Sequence, residues 1–135
     1  MTYGHNLAQQ LPMEDIMMLE LDRCRQWIEN ALMYSGGTHE FIDIVNGVLS
    51  GTMQLWAGER GCAVTEITVY PRKKILHVFL AGGDMEQILD FQESAAEFAR
   101  INKCDSMTIA GRRGWTRVLD KHDWEESFCV MSKEL

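Results

Sequence analysis

The sequence predicts an α/β domain, in the α+β sense of a mixed central sheet with helices on both faces. Three observations predict it. Two amphipathic helical stretches open the chain, three alternating β-rich runs follow, and the C-terminal half then reads strand, helix, strand, helix, strand. The 135 residues suit one domain with one hydrophobic core, taken as 13–135 behind an N-terminal arm, 1–12.

Each element has a local cause. Pro12 opens the first helix, where its missing N–H costs nothing, and Glu14 and Asp15 suit the helix dipole. Ile16, Leu19, Cys24, Trp27, Ile28, Ala31 and Leu32 recur at helical spacing, and Gly36-Gly37 ends the run. Thr38 is the candidate cap of a second helix, with Phe41, Ile42, Val45, Val48 and Leu49 on its buried side and Ser50-Gly51 as its stop. A meander follows: Met53 to Ala57, the β-branched run Cys62 to Tyr70, and Lys74 to Ala81. Gly58 to Gly61 and Pro71-Arg72-Lys73 supply the turns. Glu66 stands alone in the second strand, facing solvent or lining a cleft. Asp84 to Lys103 is the strongest helix. Ser106 to Ala110 then reads as an interior strand parallel to the one before that helix. Thr116 is placed to cap a helix from Arg117 to His122, and Ser127 to Met131 reads as a final strand.

Composition narrows the function classes. A net charge of −7 disfavours nucleic acid as the main partner. The charge is uneven: residues 1–50 carry seven acids and two bases, residues 51–135 thirteen acids and eleven bases. No apolar run approaches the roughly 18 residues of a membrane span. The first twelve residues lack a basic start and an apolar core, so a cytoplasmic setting is expected rather than secretion. The cysteines, Cys24, Cys62, Cys104 and Cys129, form no Cys-x-x-Cys pair and sit among apolar neighbours, as expected of buried, reduced thiols. The four histidines show no metal-ligand spacing, so no metal site is expected.

Two segments bear on binding. Gly82-Gly83 lies where a strand enters a helix, a common place to hold a phosphate on backbone N–H groups. Asp84 and Glu86 follow at once, and each would repel a phosphate by roughly 3–4 kcal/mol at about 4–6 Å before screening, with an effective dielectric near 20. The second segment is Gly111-Arg112-Arg113-Gly114-Trp115, at the carboxyl end of a predicted parallel strand. Arg112, Arg113 and Arg117 could grip a carboxylate or phosphate, with Trp115 stacking on a ring. The same residues also read as a core tryptophan with arginines paired to nearby acids. Met13, Met17, Met18 and Met33 cluster in the first helix, and Met17, Met18 and Met33 are too many for one buried face; they read as core, or as an exposed strip for self-association or partner docking.

The element order over residues 14–131 resembles the GNAT superfamily of N-acetyltransferases. Thr116 to Trp124 is similar to the late helix of that family, with Asp123-Trp124 in place of its Gly-Phe. The layout also resembles small phage-encoded, acetyltransferase-like internal virion proteins. The resemblance implies a strand ahead of the first helix, for which Thr2 to Leu11 is the one candidate. It also implies acetyl-coenzyme A as cofactor, its pyrophosphate wrapped by a basic or glutamine residue and spaced glycines. Here only Gly82 and Gly83 remain of that loop. Many members protonate the leaving thiolate with a late-helix tyrosine. Leu119 occupies that place, leaving Tyr34 or Tyr70 as substitutes only if the fold brings them in. The expectation is therefore a domain without a catalytic residue or bound cofactor. It would act on a protein partner, in the host cytoplasm or a virion if phage-encoded. The alternative is a working N-acyltransferase with a divergent cofactor loop, for which Gly83→Asp abolishes acetyl-coenzyme A binding without unfolding the chain. A third reading holds a nucleotide or nucleic-acid end at Arg112 to Trp115, with salt-dependent binding.

Overall fold

The computed structural model describes residues 12–111 and 114–135. The expected strand within residues 2–11 lies outside them. Helix α1 spans Met13–Leu32 and α2 spans Phe41–Ser50. Strands β1 (Met53–Ala57), β2 (Gly61–Val69) and β3 (Lys74–Gly83) form the meander. Helix α3 (Met85–Ile101) leads to β4 (Ser106–Ile109), then α4 (Gly114–Leu119) and a 3-10 turn, Asp120–His122. The sheet order is β1-β2-β3-β4, antiparallel except for the parallel β3–β4 pair. The mixed sheet with helices on both faces is as the sequence predicts.

Two apolar clusters hold the layers together. On one face α1 and α2 bury Leu21, Cys24, Ile28, Ile44 and Val48 against Cys62, Val64 and Leu80 of the sheet. On the other, Ala95 and Ala99 of α3 bring that helix close to Leu76, and Trp56 meets Phe98 edge-on with ring centroids 5.8 Å apart. Thr65 is a buried polar residue of the sheet. It accepts from Trp56 Nε1 at 3.0 Å and donates to Gln54 Oε1 at 2.8 Å. Thr65→Val keeps the shape but leaves both partners unsatisfied. A loss of about 1–3 kcal/mol in a urea titration is the expected result.

Several expectations are corrected. In α1 the stripe is Leu21, Cys24 and Ile28, whereas Leu19 is 62% exposed. In α2, Ile44 is buried and Ile42 is 56% exposed. The cap of α2 is a Glu40–Asp43 capping box, not Thr38, whose hydroxyl donates to the Ser35 carbonyl instead. Thr116 lies inside α4, which starts at Gly114. Cys24 and Cys62 are buried, but Cys104 is only half-buried and Cys129 is exposed. Ser127 to Met131 forms no strand. Among the described residues nothing pairs beyond β4, which is therefore an edge strand rather than an interior one, and none of its residues is fully buried.

Candidate functional site

Pairing between β3 and β4 stops at Val78 and Ile109, while β3 continues to Gly83. The two strands therefore part at their carboxyl ends, the region where α/β sheets tend to hold ligands. A bulge prepares this stretch: Val64 pairs with Leu80 and Thr65 with Val78, so Phe79 is an extra residue. Its ring packs on the α1/α2 side and lies 4.6 Å from the His39 ring.

A groove of about 350 Å³ borders the end of β3, lined by Asn30, Ala31, Met33 and Tyr34 of the α1 end together with Gly82 and Gly83. The fold thus brings Tyr34 beside the glycine pair, whereas Tyr70 sits at the far end of β2, beside the turn into β3. Asn30 was not singled out in the sequence, and Met33 only as a surplus apolar residue. Their one signal as groove residues is their place at the end of a helix that packs on β3.

The glycines themselves are used in packing. Gly82 pairs with Cys62 and Gly83 with Gly61, so β3 stays in its ladder to its last residue. A Cβ on Gly82 would stand 2.7 Å from the Trp27 carbonyl oxygen, where α1 crosses the strand. A Cβ on Gly83, whose φ is 101°, would stand 2.5 Å from both the Arg60 carbonyl oxygen and Gly61 Cα. The next N–H, of Asp84, donates to the Arg60 carbonyl at 2.8 Å. The Asp84 carboxylate pairs with Arg60 at 3.5 Å, both exposed, so its charge at the start of α3 is partly offset. Glu86 follows in the first turn of the same helix.

At the other end of the candidate stretch, Trp115 is half-buried with its indole against Gly111. Arg117 is exposed, and Arg112 and Arg113 lie outside the described residues. Leu119, at the position of the expected acid, is a core residue, 7% exposed. Trp124 follows the 3-10 turn and donates to Gln92 Oε1 of α3 at 2.9 Å.

A polar row crosses the sheet where β3 and β4 are still paired. Glu66, His77 and Thr108 are register partners, with His77 Nδ1 and Thr108 Oγ1 2.8 Å apart. Glu66 is half-buried here, between the two readings of the sequence. Burial lowers the His77 pKa from its usual 6.5, and the Glu66 charge only partly offsets this. The unfolded chain then binds a proton that the folded chain resists. Stability from this group is complete above about pH 6.5 and falls as the pH drops toward the lowered value. Thermal melts from pH 7.5 to 5 should show this loss, and His77→Gln should flatten it.

Among the described residues, no cluster of histidine, cysteine or acidic side chains could hold a metal, and no helix is long and apolar enough to cross a membrane.

No protein-family model and no curated protein matches the sequence. Solved structures do match. A protein from Thermus thermophilus is 12% identical, with 92% of this chain aligned to 93% of that one at a TM-score of 0.62. A predicted acetyltransferase from Clostridium acetobutylicum, solved with acetyl-CoA, is 10% identical over 91% of this chain and 92% of its own, also at 0.62. An acetyltransferase from Trypanosoma brucei is 14% identical over 71% and 78%, at 0.52. The class this defines is a fold: a GNAT-like acetyltransferase architecture, mixed in sheet and covered on both faces. At such identities the likeness covers the fold and does not extend to the chemistry.

Proposed function

We propose that the chain is an acetyltransferase-fold domain that works through protein contacts and has given up acyl transfer. One observation carries the reading: protein stands against both glycines, with the Trp27 carbonyl of α1 at the Cβ position of Gly82 and the Arg60–Gly61 backbone at that of Gly83. A pyrophosphate cradle needs open space beside the glycine backbone. Here the glycines permit close approach of protein to protein. Leu119 supports the same conclusion, being a buried hydrocarbon where the reaction needs a proton donor.

The acyltransferase alternative has Tyr34 beside the groove in its favour. That residue is 62% exposed. A virion-associated or phage accessory role is the finer form of the proposal, and finding the chain in purified particles tests it.

The test of the proposal is release of free thiol from acetyl-coenzyme A in the presence of varied primary amines, polyamines and peptide N-termini. The expected result is a rate equal to the enzyme-free blank. Turnover on any amine overturns the proposal.

A further inference from the structure

We propose that Cys24 and Cys62 are the site of a latent disulfide, formed by exchange with a small-molecule disulfide and fastening α1 to β2 in oxidising surroundings. Both residues are completely buried, one from the helix layer and one from the sheet layer of the same apolar cluster, and both thiols are free. Their side chains are hydrogen-bonded to each other, thiol to thiol. The backbone explains why they meet. Cys62 is the register partner of Gly82, and the missing Cβ of Gly82 lets the Trp27 carbonyl of α1 come down on that point of the sheet. Cys24 lies about one helical turn ahead of Trp27. Beside it, Arg23 Nη1 donates to the Gly58 carbonyl at 2.8 Å, which holds this part of α1 over the turn between β1 and β2. A disulfide then needs the step from hydrogen-bond contact to a bond of about 2.05 Å.

The other cysteines do not compete for either partner. Cys104 packs in the cluster on the opposite face of the sheet, and Cys129 is exposed in the C-terminal tail. The chemistry balances. The thiolate of one cysteine attacks a sulfur of the small disulfide, whose S–S bond breaks, and one small thiol leaves carrying the proton the cysteine gave up. The second cysteine, deprotonated in turn, attacks the cysteine sulfur of that mixed disulfide and displaces the second small thiol. The pair loses two electrons and two protons, and the small disulfide gains both. Burial pushes both thiols above their ordinary range, and the charge of Arg23 only partly opposes it. Thiolate is therefore scarce in the folded state, and the bond forms while the chain folds or when α1 lifts from the sheet. The loop it closes, residues 25–61, takes in the rest of α1 and all of α2 and β1. Closing that loop restricts the unfolded chain, so the oxidised form is the more stable one.

The test uses the full chain carrying Cys104→Ala and Cys129→Ser, which leaves the buried pair as its only thiols. It is refolded from denaturant in oxidised glutathione, and separately in dithiothreitol, then compared by intact mass, non-reducing peptide mapping and thermal melting. Expected in oxidised glutathione is a monomer lighter by two hydrogens, with the Cys24 and Cys62 peptides joined and no glutathione attached. Its melting temperature should lie about 5–10 °C above that of the reduced chain. Reduction in denaturant followed by refolding should remove the difference. A further Cys24→Ala change should leave one thiol and no such rise, while the comparison of oxidised with reduced chain stands without that variant. A folded chain that keeps both thiols in oxidised glutathione overturns the proposal. So does glutathione held on either cysteine in place of the link, and so does a linked chain that melts no higher than the reduced one.

Discussion

Gly83→Asp is expected to destabilise the fold by about 2–6 kcal/mol rather than to act on a ligand. Two costs combine. The φ of 101° is a region that residues with a Cβ rarely adopt, at about 1–3 kcal/mol. The new Cβ would also be driven to 2.5 Å from the Arg60 carbonyl oxygen and Gly61 Cα, both backbone atoms that cannot swing aside, and such overpacking costs about 1–3 kcal/mol. A denaturant titration measures the sum, with Gly82→Ala as a companion whose Cβ meets the Trp27 carbonyl oxygen at 2.7 Å. This corrects the sequence-based expectation that an aspartate at position 83 would report on a cofactor with the fold intact. A variant as stable as the parent would show that β3 does not run through this glycine as described.

Leu21→Ala is the second large effect, expected at about 3–4 kcal/mol. Leu21 is fully buried in the middle of α1 and belongs to the cluster that joins α1 and α2 to the sheet. α1 rests directly on β3 at Gly82, which limits how far the helix can move in to fill the space of the missing carbons. Leu19→Ala, two residues earlier on an exposed position, should cost less than about 0.5 kcal/mol. Comparable losses at the two positions would mean that the buried stripe of α1 is not Leu21, Cys24 and Ile28.

The contrast between those leucines shows what the sequence could carry. Element type and order were legible from periodicity and β-branching, and β1 was legible to the residue because Gly51 and the Gly58–Gly61 turn bracket it. The face of α1 was less so, because Leu19 and Leu21 both fall within an apolar sector of a methionine-rich helix and only the neighbouring sheet decides between them. The cap of α2 was misplaced because Thr38 is a good cap by type, while the Glu40–Asp43 box depends on reciprocal geometry. The last strand shows the opposite limit. Ser127 to Met131 has strand composition, but a strand needs a partner edge, and pairing is a tertiary property that local sequence does not supply.

The candidate site divides along the same line. That Gly82-Gly83 mattered was visible from the strand-to-helix junction. Whether it mattered as a cradle or as a packing point depended on Trp27 and Arg60, remote in sequence from the pair. Leu119 could be read as lacking a proton to donate, and its burial adds that the position serves the core. Asp84 was legible as a charge hostile to phosphate, but its partner Arg60 was not. Offsetting one exposed charge with another leaves the packing against the two glycines as the stronger argument against a bound pyrophosphate.

The measurement closest to the central claim is calorimetric titration of the full chain with acetyl-coenzyme A and, in parallel, with coenzyme A. A fold retained without its cofactor site predicts no saturable heat up to about 1 mM ligand, corresponding to a binding free energy weaker than about −4 kcal/mol. Stoichiometric binding with a micromolar Kd would contradict it, and would mean that the packing against Gly82 and Gly83 still leaves room for a pyrophosphate.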